Sequence, residues 1–275
     1  MANILNTEKQ AAVIGALVED MSIRGIERMT GIHRDTIMRL GVRVGESCTA
    51  MMDAAMQKLS CNDIQLDELW AFVGKKQRNI ETHEDSFQGD QYTFVALDRD
   101  TKLVPCFRVG KRDKATAVDF LQDLHGRLAN RVQLSSDAFK AYAEAVERGF
   151  GSEVDYGQIV KVFTATDLGQ RRYSPPDIFS SSRHTIQGNP DRSRICTSHI
   201  EAQNLTIRMH CRRLTRLTNA FSKKLENFKA AVGLHFAYYN FVKVHGSIRC
   251  TPAMAAGVAS SPWTVNDLVS LPEAA

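Results

Sequence analysis

The sequence predicts a mixed α/β fold, with helices packed on a mixed sheet and a small helical region at the N-terminus. Apolar, strand-like runs occupy residues 64–73, 92–97 and 103–109, and the last two flank a turn-forming DRDTK segment. Helical and strand-like segments alternate after residue 114, as expected when helices cover a sheet. Apolar residues recur at helical spacing in the first 45 residues, which predicts helices there.

The composition is that of an ordinary globular protein and excludes several classes. The chain has 275 residues, 43% hydrophobic and 24% charged, which argues against disorder, collagen and a heptad rod and predicts one or two domains. No apolar run reaches the ~18 residues of a membrane span, and the first residues do not resemble a secretory signal. A cytoplasmic protein is therefore expected. The six cysteines are scattered, which disfavours a zinc ribbon or a disulfide scaffold.

Positive charge is concentrated in one part of the chain. Residues 171–249 contain 14 Lys and Arg against 4 Asp and Glu, whereas the rest contains 21 against 27. Such a block suggests a polyanionic partner, although a solvated charged helix face gives the same pattern.

The N-terminal region has the outline of a helix-turn-helix. Helices are predicted over residues 8–20, 23–30 and 34–40, with a turn at Gly31 and glycines loosening the third helix at its end. Arg34, Thr36 and Arg39 would lie on the exposed side of the third helix, where they could contact DNA bases or phosphates. The alternative is a plain helical hairpin, and the neutral balance of residues 1–60, 7 basic against 7 acidic, supports DNA binding only weakly.

The later elements are predicted from the spacing of apolar residues and from the loop-forming residues that separate them. We expect a helical connector over 46–60, a mobile basic loop over 164–195 that is rich in Arg, Ser and Pro, and a short tail over 253–275. The remaining expected elements are helices over 114–128, 138–148, 198–218 and 225–244 and strands over 132–135 and 158–163.

Three acidic residues lie at positions that suit a catalytic or metal-binding role. Asp67 interrupts an apolar strand, Asp137 follows the strand over 132–135, and Glu201 begins a basic helix. Each has an ordinary alternative: a solvent-facing strand acid, a helix N-cap and a solvated helix stripe, respectively. Helical spacing places Asn204 and Arg208 on the face of Glu201. Carboxylates on separate elements could hold two Mg²⁺ or Mn²⁺ ions for phosphodiester chemistry.

The stretches DELWAFVGKK from Asp67, LSSDAFKAY from Leu134 and IEAQNLTIRMHCRRLTRLTNAFSK from Ile200 resemble transposases of the insertion-sequence-one family. YYNFVKVHGSIRCTPAMAAG, from Tyr238, also looks like the C-terminal end common among such enzymes. The resemblance covers about residues 63–252. It implies an RNase H-like catalytic domain over 61–252, with Asp67, Asp137 and Glu201 as the catalytic, metal-binding DDE residues and Arg208 as the basic residue seven positions after the glutamate.

The chain departs from that family at its N-terminus. It lacks the cysteine-rich zinc-binding segment with which many members begin, and it offers the helix-turn-helix within 1–60 instead.

The function hypothesis is a DNA transposase that cuts and joins strands without a covalent intermediate. Its predicted partners are double-stranded DNA, as element ends and target, and further copies of the chain. Its predicted cofactors are two Mg²⁺ or Mn²⁺ ions. Phosphate contacts are expected from the basic loop and from the side chains at Asn204, Arg208, Arg212, Arg213 and Arg216. The alternatives are an inactive DNA-binding regulator and an RNase H-like nuclease without strand transfer.

Overall fold

The computed structural model describes residues 5–81, 85, 87–164, 178–216 and 218–274. A six-stranded mixed sheet, flanked by helices, organises these residues in the order β3-β2-β1-β4-β5-β6. The strands are β1 (Asp63–Val73), β2 (Gly89–Asp98), β3 (Cys106–Gly110), β4 (Val132–Ser136), β5 (Val154–Phe163) and β6 (Ile178–Gln187). The predicted mixed α/β class is therefore confirmed.

The sheet combines two antiparallel edges with a parallel centre. β1 pairs antiparallel with β2, and β2 with β3, as the turn between residues 98 and 102 predicts. β1, β4 and β5 are mutually parallel, and β6 returns antiparallel along β5. Because β1 is central and mostly apolar, the strand is buried on both faces, except that Asp67, Glu68, Trp70 and Phe72 are partly exposed.

The helices are α1 (Thr7–Val18), α2 (Ile23–Thr30), α3 (Arg34–Ala55), α4 (Lys114–Arg127), α5 (Lys140–Phe150), α6 (Ser198–His210), α7 (Leu225–Ala237), α8 (Pro252–Ala255) and α9 (Val265–Val269). Helices α4 and α5 cover one sheet face, where Phe94 of β2 packs on Phe120 and Tyr142. Helix α6 covers the other face, where Gln65 of β1 accepts hydrogen bonds from the first turn of α6. Alternation along β1 therefore separates the two layers.

Helix α3 is longer than predicted. The glycines expected to end it near residue 40 lie inside a 22-residue helix. Gly45 allows close packing on α7, since a Cβ there would lie 2.1 Å from the Ala230 carbonyl oxygen. The expected end was wrong because these glycines serve a helix crossing rather than a cap.

Buried residues of α1, α2 and α3 belong to the same hydrophobic cluster as those of the sheet and α7. Arg127 at the end of α4 reinforces this packing, because it bonds Asp53 of α3 at 2.6 Å and Asp123 of α4 at 2.7 Å.

The loop expected over 164–195 is wrong for Ile178–Gln187, which forms β6. This strand is exposed along its length, so its sequence lacks the apolar alternation by which strands are recognised, and pairing with β5 holds it in place. Residues 165–177 lie outside the described part of the chain.

The two long helices expected near the C-terminus are shorter. Helix α6 ends at His210 and is followed by a 3₁₀ turn at Arg212–Leu214, and α7 continues from Ala237 as a π-helical turn at Tyr238–Val242. All six cysteines are free thiols. Within the described ranges, no helix has the length and apolarity needed to cross a membrane.

Candidate active site

The three carboxylates singled out by the sequence line one cleft with a volume of about 710 Å³. Asp67 comes from β1, Asp137 follows β4, and Glu201 lies in the first turn of α6. The other lining residues are Arg112, Ala138, Phe139, Lys140, Ile159, Val160, Lys161, Phe163 and Thr197. Acidic and basic groups therefore share one surface at the ends of the parallel strands.

Strand register explains why the two aspartates meet. Gln65 of β1 pairs with Ser135 of β4 in a parallel ladder. Asp67 and Asp137 each lie two residues further along, so they stand side by side where β4 ends. Neighbouring strands are about 4.8 Å apart. Asp67 shares the face of Gln65, which α6 covers, and Asp137 lines the same cleft just beyond the end of β4.

Asp67 is held by two hydrogen bonds and is poorly solvated. Its Oδ1 accepts from the Glu68 N–H at 2.8 Å, and its Oδ2 accepts from Asn204 Nδ2 at 2.6 Å. Burial raises the pKa of Asp67 to about 7; the Glu68 N–H opposes this, and the negative charges of Glu68, Asp137 and Glu201 add to it. Asp67 is therefore not the solvent-facing strand acid that was the ordinary alternative.

Asp137 lies ahead of α5 rather than capping it. Its Oδ1 accepts from the Phe139 N–H at 3.0 Å in a local turn, and Phe139 itself occupies the cap position of the helix. The remaining oxygen of Asp137 accepts no hydrogen bond from the described residues, and it is available at the cleft.

Glu201 is bound to a lysine across the cleft. Its Oε1 accepts from Lys161 Nζ of β5 and from Thr197 Oγ1 at 2.6 Å, and Lys161 Nζ also donates to Thr197 at 3.1 Å. These contacts fix one carboxylate oxygen of Glu201.

A fourth acid, Glu68, follows Asp67 in β1 and has an arginine partner. Glu68 projects from the opposite face of β1, as strand alternation predicts, and Arg112 Nε donates to its Oε2 at 3.1 Å. Burial raises the pKa of Glu68; Tyr142 and Arg112 oppose this shift and Asp137 adds to it. The Arg112 guanidinium lies 4.1 Å from the centre of the Phe139 ring. Arg112 therefore presents a positioned positive charge at the cleft.

The predicted α6 face is only partly directed at the cleft. Asn204 is buried, donates to Asp67 and leaves its own Oδ1 without a partner in the described chain. Arg208 donates to the Leu214 carbonyl at 3.2 Å; burial and Arg216 lower its pKa to about 10, and Asp67 opposes this. Asn204 and Arg208 thus lie on the Asp67 side.

The remaining arginines of this region differ in their surroundings. Arg212 pairs with Asp20 at 3.1 Å, and Arg213 donates to the Ala220 carbonyl at 3.0 Å. Arg216 is exposed. The first two therefore have structural partners, and their predicted DNA contacts stay predictions.

The N-terminal helices adopt the spacing that the sequence predicts. Helix α2 ends at Thr30 and is capped by Gly31, which lies in the left-handed region with φ 69°, and α3 begins at Arg34. Arg34 and Arg39 are exposed, and Thr36 is half-buried. The first two turns of α3 therefore carry accessible basic side chains that are not among the residues lining the carboxylate cleft.

The carboxylates fit a hard divalent cation in donor chemistry. Asp67, Asp137 and Glu201 offer oxygen ligands, which Mg²⁺ and Mn²⁺ prefer. Burial, with a smaller contribution from the neighbouring acids, raises the pKa of Asp67, and a bound cation would offset both effects. In the described ranges, no three His, Cys, Asp or Glu side chains are grouped closely enough to hold a metal as they stand. The cleft therefore contains suitable ligand atoms, but they are not arranged as a complete coordination site.

Sequence reasoning missed the basic residues of the cleft. Lys161 ends a weak strand, and Arg112 lies in the short connection before α4, so neither shares a motif with the acids. The position of Lys161 depends on the strand order, which brings β5 beside β4, and that of Arg112 depends on the pairing of β3 with β2. The strand order was the missing information.

Searches for relatives gave structural neighbours only. No family model matches the chain, and no curated protein matches its sequence. The structure is similar to that of a piggyBac transposase synaptic complex with hairpin DNA, with a TM-score of 0.48, 8% identity, and coverage of 96% of this chain and 68% of that one. It is also similar to a Mos1 transposase paired-end complex with the left transposon end, with a TM-score of 0.23, 13% identity, and coverage of 56% and 60%.

Proposed function

We propose that this protein is a DDE-type DNA transposase that cleaves DNA strands at element ends and transfers them to target DNA. The observation that carries the proposal is the meeting of Asp67, Asp137 and Glu201 in one cleft, from three separate elements. The resemblance of the same three stretches to insertion-sequence-one transposases, with their RNase H-like domain, agrees with this assignment.

Asp67, Asp137 and Glu201 are the proposed ligands of two Mg²⁺ or Mn²⁺ ions. Such a pair, when bound, activates the attacking oxygen and stabilises the leaving oxygen of a phosphodiester. Asn204 holds Asp67 through its amide, and the α6 backbone brings Glu201 to the same edge. No serine or tyrosine nucleophile is required.

Cations around the acids would bind the DNA backbone. Arg112 and Lys140 line the cleft on the Asp137 side, and Arg208 lies near Asp67. Arginine and lysine neutralise phosphate charge, so DNA affinity is expected to fall steeply with salt. Recognition of the element ends is assigned to α2 and α3 through Arg34, Thr36 and Arg39, within an oligomer that pairs two ends.

The test uses duplexes taken from the DNA that flanks the coding sequence. With Mg²⁺, the wild-type protein should nick these duplexes to leave a 3′-hydroxyl and join it to a plasmid. Asp137→Asn should bind the duplex but neither nick nor join, because it removes a ligand charge with little change of shape. Asp119→Asn, at an exposed position on α4, is the matched control and should retain both activities.

Two outcomes would overturn the proposal. Binding without cutting in either Mg²⁺ or Mn²⁺ would assign the protein to the regulators. Nicking without any joined product would assign it to the nucleases.

A further inference from the structure

The Lys161–Glu201 pair is distinctive among the charges of the cleft. Among the three carboxylates, Glu201 alone forms an ion pair with another described residue. The lysine side chain is 17% exposed and that of Glu201 is 46% exposed, so the ammonium is the more buried partner. The pair therefore belongs to the cleft and is not a loose surface contact.

Strand geometry directs Lys161 towards the site. β4 pairs with β5 as far as Ser136 and Gln158, and β5 continues beyond that point. Lys161 lies on this extension, four residues after Gly157, which packs against Ile195 on the α6 side. Side chains alternate along a strand, so Lys161 projects from the same face towards Glu201.

The contacts of the ammonium leave one donor unused. A lysine ammonium has three N–H groups. Two of those of Lys161 are directed at Glu201 and Thr197, and no third partner occurs within the described part of the chain. The group at the cleft thus has an open donor, which suits a phosphate oxygen.

We infer, on the basis of the proposed function, that Lys161 is a counter-ion that exchanges partners. It neutralises Glu201 while the cleft holds no metal, and it moves to a DNA phosphate in the cleft when a divalent cation takes over the charge of Glu201. Lys161 is thus both a competitor of the cation for Glu201 and a contact for the substrate backbone.

The alternative role is that of a positioning residue. Carboxylates that bind metals are commonly oriented by outer hydrogen bonds, and loss of such a bond lowers metal affinity. The two roles predict opposite signs. A competitor weakens metal binding, so its removal strengthens it, whereas a positioning residue strengthens metal binding, so its removal weakens it.

The experiment titrates the full-length protein with Mn²⁺ alone and follows the free ion by electron paramagnetic resonance. Lys161→Met should bind Mn²⁺ about fivefold more tightly than the wild type, as expected for loss of a partly exposed ion pair. Lys161→Arg retains the charge and should bind close to wild type. Lys229→Met removes an equal charge from an exposed position on α7 that does not line the cleft, and it should change Mn²⁺ affinity less than twofold.

The second measurement is DNA affinity in Ca²⁺, with the flanking duplex as the probe. Lys161→Met should bind this duplex about fivefold more weakly than the wild type, because one phosphate contact is lost. The two effects of Lys161→Met thus have opposite signs. A merely structural role would not produce that combination.

The outcomes separate this inference from the proposed function. Wild-type Mn²⁺ binding that is lost in Asp137→Asn supports the metal site. If Lys161→Met then binds Mn²⁺ equally or more weakly, the exchange is overturned and the proposed function stands. If the wild type binds no Mn²⁺, the metal-dependent function and the exchange both fail.

Discussion

Replacement of Asp67 by Asn should stabilise the metal-free protein at neutral and alkaline pH. The carboxylate is partly buried among other acids, and its pKa rises from 3.8 to about 7. The change removes the buried charge and keeps the hydrogen bonds. Asn204 can rotate its amide so that Oδ1, which has no partner among the described residues, accepts from the new side-chain amide.

The magnitude follows from proton linkage. A shift of one pKa unit corresponds to about 1.4 kcal/mol, so the raised pKa of Asp67 lowers the free energy of unfolding of the ionised protein by about 4 kcal/mol. Water at the open cleft screens part of this cost, which leaves about 2–4 kcal/mol.

The direction of the pH dependence follows because the pKa of Asp67 is higher in the folded protein than in the unfolded protein. Below about pH 4 both states carry a protonated Asp67 and the penalty is absent; it grows as the pH rises towards 7 and is constant above that.

Urea unfolding in EDTA at pH 5 and pH 8 measures the effect. The stability advantage of Asp67→Asn should grow by about 1–3 kcal/mol between the two pH values. Asp119→Asn, at an exposed site that pairs with Arg108 at 3.7 Å, is the control and should show little pH dependence. A lower stability of Asp67→Asn than of the wild type at pH 8, or a stability advantage that is the same at both pH values, would contradict this prediction.

Two further predictions concern the packing that supports the cleft. Gly45→Ala should lower the free energy of unfolding in urea by about 3 kcal/mol, because the new Cβ would meet the Ala230 backbone. Gly15→Ala is the control and should be neutral or slightly stabilising, because a Cβ there would have no atom within 4 Å. Equal effects of the two substitutions would contradict this prediction. Arg127→Met should lower the free energy of unfolding by about 1–3 kcal/mol, because it removes a buried guanidinium that bonds the half-buried Asp123 of α4 and the exposed Asp53 of α3. No measurable loss in the same unfolding experiment would show that these bonds are dispensable.

The sequence was most informative where burial was regular. The apolar runs of β1 and β2 and the turn between β2 and β3 predict strands directly, because a central strand must be apolar on both faces. Asp67 and Asp137 were recognisable as exceptions to that pattern. Their adjacency depends on the parallel pairing of β1 with β4, which the sequence indicates only through the order of its elements.

The sequence was least informative at exposed edges and helix crossings. β6 is polar and exposed, so its pattern resembled a loop, although β5 supplies its hydrogen bonds. Gly45 resembled a helix terminator because its packing partner lies on α7. Lys161 was not recognised at all, since its role depends on a distant residue of α6. In each case the decisive interaction is tertiary.

Locating a bound divalent cation on the chain itself tests the proposed metal-dependent cleft most directly. Fe²⁺ substituted into the protein, with ascorbate and hydrogen peroxide, cuts the backbone near its binding site. We expect cuts close to Asp67, Asp137 and Glu201 that are suppressed by excess Mg²⁺ and absent in Asp137→Asn. Cuts confined to other regions, or an unchanged pattern in Asp137→Asn, would contradict the assignment of this cleft as the metal-dependent centre.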